Sequence, residues 1–297
     1  MTSSYTLLGL NAEAHPIQPG LHLVATPIGN LKDITLRALE ALAAADTILA
    51  EDKRVTKVLL AHYGITTPIM SYHEHNAEVM RPHVLARLQE GAKLALVSDA
   101  GTPLVSDPGY KLVEAAIEAG ISVTALPGPS AVLAGLVLAG LPTDRFFFEG
   151  FLPSRQTERK RRIRTLENIP GTLVFFEAPH RIAEALADLA EVLGPRQAAV
   201  ARELTKRFET IRRGLLPDLA KLYAEGEMAR GEIVLLVAPG IEGAGILSDA
   251  DIDARLTLEL ATYSARDAAA LVAAELGLQK RRVYARALAL AGDRKES

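Results

Sequence analysis

Lys93-Leu94-Ala95-Leu96-Val97-Ser98-Asp99-Ala100-Gly101-Thr102-Pro103 is the stretch that decides the fold. Its first half is an apolar run of strand length, and its second half is a polar turn whose Gly and Pro interrupt any regular element. Residues 110–119 then repeat apolar positions at helical spacing and stop at Gly120, a residue suited to the left-handed turn that ends a helix. A second apolar run follows at 122–126. Strand, polar loop, helix and strand form the unit from which a helix-covered parallel sheet is built.

Outward from this stretch the same unit recurs. Strands are predicted over 21–26, 47–50, 172–176, 197–201 and 233–238, and a helix over 34–45 has Asp33 as its N-cap and Leu36, Leu39 and Leu42 on one face. The class is α/β, with mostly parallel pairing in two halves. An N-terminal lobe is expected over 20–127 and a C-terminal lobe over 128–241, with 126–141 crossing between them. Beyond Gly240 the composition turns to Ala, Leu and Arg, and 247–292 reads as a small helical module. Within it, helices over 266–276 and 280–290, separated at Gly277, have helix-turn-helix spacing. Two packed helices with no nucleic-acid role are the alternative.

The 297 residues suffice for two domains and a small third. Residues 1–19 carry no Lys or Arg and only a broken apolar stretch at Leu7, Leu8 and Leu10, so they read as a disordered leader and lack the pattern of a secretory signal. The longest apolar run, 131–141, is about half of the roughly 20 residues a membrane-spanning helix needs. A soluble, cytoplasmic protein with no membrane partner is expected. With 33 Lys and Arg against 36 Asp and Glu, the net charge of −3 excludes a polycation that coats nucleic acid. The absence of Cys removes disulfides, thiolate metal sites and cysteine nucleophiles, and the absence of Trp argues against a broad base-stacking platform.

In open α/β sheets ligands bind beyond the carboxyl ends of the strands. Those positions here are Thr26-Pro27-Ile28-Gly29-Asn30, Glu51-Asp52-Lys53-Arg54, Asp99-Ala100-Gly101-Thr102-Pro103, Pro127-Gly128-Pro129-Ser130-Ala131, Glu177-Ala178-Pro179-His180-Arg181 and Arg202-Glu203-Leu204-Thr205-Lys206. Known nucleotide and hydrolase motifs are missing. The first loop has one glycine where a dinucleotide fingerprint needs three, no G-x-x-x-x-G-K-S/T loop exists, and Val132 stands where a nucleophile elbow needs its second glycine. His73 and His75 have no third partner in the sequence pattern, so no metal is expected.

Taken in order, these loops together with Asp107-Pro108-Gly109, Gly150-Phe151-Leu152-Pro153 and Gly231-Glu232-Ile233-Val234 closely resemble the ribosomal RNA small subunit methyltransferase I family, enzymes of the tetrapyrrole methylase fold. The resemblance spans about residues 20 to 240 and extends more weakly into the helical tail. One departure is Lys53, which stands where a small hydroxyl residue is expected and is assigned no role.

The resemblance implies a two-lobed fold with S-adenosylmethionine folded into the cleft between the lobes, and methyl transfer to the ribose 2′-hydroxyl of a cytidine in the decoding region of 16S ribosomal RNA. The protein would meet that RNA in the small ribosomal subunit, as a homodimer. By the family pattern the cofactor contacts fall on Pro27, Asp99, Thr102, Ser130 and Ala131, and on Phe176, Arg202 and Gly231 in the second lobe; core packing is the alternative for Phe176. Asp52, Asp99 and Glu177 are unranked candidates for the base that takes the hydroxyl proton, with capping or ion pairing to Arg54 or Arg181 as the alternative. Arg155, Arg159, Lys160, Arg161, Arg162 and Arg164 crowd one segment against Glu158 alone, and Lys280, Arg281, Arg282 and Arg286 form a second cluster in the tail. Both clusters are candidates for phosphate contact. Two other functions remain open: a methylase of the same fold acting on a corrinoid or porphyrin precursor, which would not need the basic clusters, and a non-catalytic nucleic-acid-binding protein, which would not explain the loops.

Overall fold

The computed structural model describes residues 3–226, 231–240, 249–275 and 280–293. Its first sheet contains β3 (Gly20–Val24), β4 (Thr47–Ala50), β5 (Ile69–Ser71), β6 (Lys93–Val97) and β7 (Val123–Leu126) in the order β5-β4-β6-β3-β7, with every pair parallel. Helices α1 (Leu36–Ala44), α2 (Lys53–His62), α3 (Ala77–Gln89) and α4 (Tyr110–Glu118) follow the strands. Strand alternation sends Ile48, Ala95 and Val97 into one fully apolar cluster and Leu49, Leu94 and Leu96 into another. Both faces are therefore buried, which is why these strands read as continuous apolar runs. Helix α1 begins later than the sequence predicts. Thr35 is its N-cap, accepting from the Ala38 N–H at 3.2 Å, while Asp33 lies in a preceding single turn capped by Asn30.

The second sheet corrects the expectation of mostly parallel pairing. It contains β8 (Phe146–Phe151), β9 (Thr172–Glu177), β10 (Gln197–Arg202), β11 (Thr210–Leu215) and β12 (Ile233–Val237) in the order β11-β10-β12-β9-β8. Only β8 and β9 run parallel; β9 with β12, β12 with β10, and β10 with β11 are antiparallel. The physical reason is a seven-residue link, 203–209, between β10 and β11, too short for the crossover that parallel neighbours need. Helix α5 (Ala131–Ala139) leaves the first sheet and packs Val132, Leu136 and Ala139 on Val174, Ala199 and Leu236 of the second. A Cβ on Gly135 would lie 3.0 Å from Val234 Cγ1, so that glycine sets how closely helix and sheet approach. Helices α6 (Gln156–Leu166), α7 (Ile182–Leu193) and α8 (Leu216–Glu225) cover the opposite face.

The leader expected to be disordered contains an ordered hairpin, β1 (Ser4–Leu7) and β2 (Leu10–Glu13), joined by Leu8 and Gly9 at positive φ. Tyr5 is buried against the first lobe, and the Thr6 N–H donates to the Tyr63 carbonyl at 2.7 Å. Four-residue strands around a Leu-Gly turn carry little of the usual hairpin signal, and long-range contact supplies the order. At the other end, α9 (Asp249–Glu259), α10 (Ala265–Glu275) and α11 (Lys280–Asp293) close around Ile252, Leu256, Val272, Val283 and Ala287. The link at Gly277 lies outside the described residues.

Candidate functional site

The ends of β3 and β6 are locked side by side. Thr26 and Gly101 exchange backbone hydrogen bonds of 2.9 and 3.0 Å, the Thr26 hydroxyl donates to the Ser98 carbonyl, and Gly101 holds φ +84, which a side chain would resist. This clasp presents Asp99 and Thr102 on one wall of a cavity of about 590 Å³, whose other walls include Ser130, Ala131 and Val132 at the start of α5 and Phe176, Ile233 and Val234 from the second sheet. Ser130 caps α5, accepting from the Leu133 N–H at 3.4 Å, and the Thr102 hydroxyl donates to the Pro129 carbonyl at 3.2 Å. An adjoining hollow of about 350 Å³ is lined by Pro27, and it shares Ile28, Asp99, Ala100, Lys206 and Glu232 with the main cavity.

Of the residues expected to hold cofactor, Asp99, Thr102, Ser130, Ala131, Phe176 and Gly231 line the main cavity and Pro27 its side chamber. Arg202 lines neither; its Nε donates to the Thr210 hydroxyl across the β10–β11 hairpin at 3.1 Å. Lys206, Glu203 and Glu232, present in the strand-end loops but given no role from sequence, complete the walls beside Gly231. Lys206 bridges Glu203 at 3.0 Å and Glu232 at 3.3 Å, holding the loop after β10 against the start of β12. Burial works against ionisation of both partners, yet their pairing holds the Glu203 carboxyl below and the Lys206 ammonium above the ordinary values. Gly231 has φ +85, and a Cβ there would lie 2.2 Å from Glu203 Oε1, so only glycine fits.

The carboxylates divide by environment. Asp52 caps α2 and is held to Arg54 by contacts of 2.6 to 3.1 Å; the Arg54 hydrogen bonds lower its carboxyl to about 2, and it lines neither chamber. Asp99 Oδ1 accepts from the Asp52 N–H at 3.0 Å. Glu177 is buried; its Oε1 accepts from the Ala178 N–H at 2.8 Å and pairs with Arg181 at 3.4 Å. Burial pushes its carboxyl up against the pull of that N–H and of Arg181 and Arg159. Two acids that the sequence reading quoted but did not single out, Glu51 and Asp107, also line the cavity. Burial raises both, Asp107 to about 6.

The first basic cluster is less available than its sequence suggests. Arg159 is 1% exposed, with Nε 2.6 Å from Asp188, a second bond to Glu184 at 3.2 Å and a third to the Ser154 carbonyl. It ties α6 to α7 and cannot reach a phosphate, which corrects its assignment to RNA. Lys160 pairs with Glu191 at 2.7 Å, Arg162 with Glu149 at 2.5 Å and Arg155 with Glu158 at 3.5 Å. Arg161 and Arg164 are exposed and carry no ion pair among the described residues. In the tail, Lys280 and Arg281 are exposed, Arg286 is held by Asp253, and the Arg282 side chain lies outside what is described. The described residues hold no group of three potential metal ligands.

Comparison with known proteins supplies a lineage. Residues 20–220 match the family model of the Tetrapyrrole (Corrin/Porphyrin) Methylases, and residues 247–291 match the RsmI C-terminal HTH domain. The chain is 53% identical to a ribosomal RNA small subunit methyltransferase I from Mesorhizobium japonicum, covering 93% of this chain and 94% of that protein. Its counterpart in Escherichia coli O157:H7 is 47% identical over 91% and 95%. In fold the chain is similar to a diphthine synthase, with a TM-score of 0.58 and 18% identity over 73% and 89% of the two chains. It is also similar to a Thermus thermophilus uroporphyrin-III C-methyltransferase complexed with S-adenosyl homocysteine, with a TM-score of 0.52 and 20% identity over 73% and 96%.

Proposed function

The chain belongs to the ribosomal RNA small subunit methyltransferase I family, and from that premise we propose that it methylates the ribose 2′-hydroxyl of a cytidine in the decoding region of 16S ribosomal RNA, using S-adenosylmethionine. The observation that carries this reading is the cavity between the two sheets, where Asp99, Thr102, Ser130 and Ala131 meet the apolar wall of Phe176, Ile233 and Val234. Its volume is within the range of small-molecule sites, and its mixture of a carboxylate-rich wall and an apolar wall suits a ligand with a cationic centre and an aromatic base.

When bound, S-adenosylmethionine supplies an electrophilic methyl group on a positively charged sulfur. The chain's own residues do the rest. Asp99, Glu51 and Asp107 make the first lobe's wall negative, favouring a cation there. Ser130 and the first N–H groups of α5 offer polar contacts at a helix start. The two lobes enclose the reacting groups, so alignment and exclusion of water supply much of the acceleration. Arg161 and Arg164 on α6 and Lys280 and Arg281 on α11 are exposed cations suited to phosphates on the small subunit, and the helix-turn-helix module gives the second pair a nucleic-acid context. No described helix is long and apolar enough to cross a membrane. Leu133 and Val137, one turn apart on α5, are 51% and 71% exposed, an apolar stripe that a second copy of the chain would cover in a homodimer.

The test is incubation with methyl-labelled S-adenosylmethionine and small subunits lacking the modification, followed by mapping of the label. A methyl group on one cytidine ribose is expected; a label on a base, or no label on RNA, contradicts the reading.

A further inference from the structure

Transfer to a ribose hydroxyl requires a proton acceptor, and three of the carboxylates near the cavity already hold protein partners. Asp52 is consumed by Arg54 and by its cap, and it lies outside both chambers. Glu177 has one oxygen on the Ala178 N–H and faces Arg181. Asp99 holds the Asp52 N–H with Oδ1 and stands where both chambers meet.

Asp107 differs in how the chain delivers it. It sits in the loop between β6 and α4, where Leu104 and Ser106 hold φ +75 and +62 and Gly109 holds φ +130. Non-glycine residues pay for that conformation, and such strain persists where surrounding structure enforces it, often at functional sites. The loop is pressed from both lobes. A Cβ on Gly109 would meet Leu96 and Leu104 within 3.0 Å, and a Cβ on Gly150, on β8 of the second lobe, would stand 3.1 Å from Ser106 Oγ. Val105, Ser106 and Asp107 therefore line the cavity where the first lobe meets β8, with Phe151 on the same rim.

We propose that Asp107 is the catalytic base that takes the 2′-hydroxyl proton, a deepening of the methyltransferase reading on which it rests. The ribose oxygen forms its bond to the methyl carbon while the carbon–sulfur bond breaks and leaves its electron pair on sulfur, neutralising the sulfonium. The hydroxyl proton passes to an Asp107 oxygen and from there to water.

The neighbourhood tunes Asp107 for this task. Burial raises its carboxyl first, the charges of Glu51 beyond β4 and Asp99 beyond β6 raise it further, and the Ser98 hydroxyl opposes them; the balance is about 6. His73 and Glu74 from the loop after β5, with Asp52, act in turn on Glu51. A carboxylate of this basicity is ionised at neutral pH yet accepts a proton more readily than an ordinary Asp.

The experiment compares wild type, Asp107→Asn and Glu51→Gln in single-turnover methylation of unmodified small subunits across pH 5 to 9. Cofactor affinity is measured by calorimetry, and carboxyl titration is followed by carbon-13 NMR in the protein alone. Wild type is expected to lose rate as pH falls through about 6, and the matching carboxyl resonance should vanish in Asp107→Asn. That variant should lose at least about a hundredfold in rate, with S-adenosylmethionine affinity reduced far less than the rate, because Asp99 and Glu51 remain on the cavity wall. Glu51→Gln should move the acidic limb to lower pH, since it removes a charge that raises Asp107. If Asp107→Asn keeps its rate, or keeps the limb, Asp107 is not the base; if the limb vanishes in Glu51→Gln and survives in Asp107→Asn, Glu51 holds that role. A wild-type protein that binds S-adenosylmethionine but leaves RNA unlabelled overturns the functional reading, and the base assignment with it.

Discussion

The two lobes each hold a five-stranded sheet covered by helices, yet they bring different chemistry to the cavity. The first is wholly parallel, so the carboxyl ends of β3, β4 and β6 gather on one edge and deliver Asp99, Glu51 and the loop of Asp107 together. The second is mostly antiparallel, so its strand ends divide between opposite edges, and it contributes an apolar wall with the Lys206 pairings. Charge is placed differently too. In the first lobe it collects as unneutralised carboxylates at the cavity, while in the second Arg159, Asp188 and Glu184 pair with one another and join α6 to α7. Parallel pairing concentrates the first lobe's strand-end carboxylates at one edge.

Three variants would break or sharpen that contrast. The largest effect is expected from Arg159→Ala, which removes the bidentate-capable partner of the buried Asp188 carboxylate and leaves it only the Gln156 amide at 3.0 Å and the Lys160 ammonium at 3.6 Å. Loss of one member of a buried pair costs about 3–5 kcal/mol, to be read from denaturant unfolding, while cofactor affinity of the folded fraction should not change. A mild loss, or a large fall in RNA affinity with intact stability, would return Arg159 to the RNA surface. Next is Asp99→Ala, which should weaken S-adenosylmethionine binding by about 1.5–3 kcal/mol, the worth of hydrogen bonds to a charged group. Unchanged binding by calorimetry would mean that the first lobe's acids do not recognise cofactor. The smallest effect is expected from Arg161→Gln combined with Arg164→Gln. Loss of two phosphate contacts should lower the slope of log affinity against log salt by about 2, and an unaltered slope would move RNA docking off α6.

Much of the first lobe is legible along the chain. Its inner strands β3, β4 and β6 are buried on both faces and read as apolar runs, and its loops carry the Gly and Pro that tight strand ends require, whereas the three-residue edge strand β5 is only half-buried and shows no such run. Less of the second lobe is legible. β8 begins Phe146-Phe147-Phe148 but is broken by a register shift before Gly150, and β11 is the polar Thr210-Ile211-Arg212-Arg213-Gly214-Leu215, an edge strand exposed on much of its length. Neither shows the alternation that marks a half-buried strand. The basic run at 155–164 illustrates the same limit, because helical spacing places Arg159 with Ile163 and Leu166 on the buried face while its neighbours stay outside.

By itself the sequence determined the apolar inner strands of both lobes, the loops at their ends and the family those loops resemble, because each is a local pattern of residue types. Tertiary structure alone decided which sheet runs antiparallel, which arginine is buried and which carboxylate is basic. Those properties depend on neighbours distant in the chain: Arg159 meets Asp188 across two helices, and Asp107 is raised by burial together with charges at positions 51 and 99. A side chain's burial and proton affinity are set by the medium and the charges that surround it in space, and adjacency along the chain does not specify either.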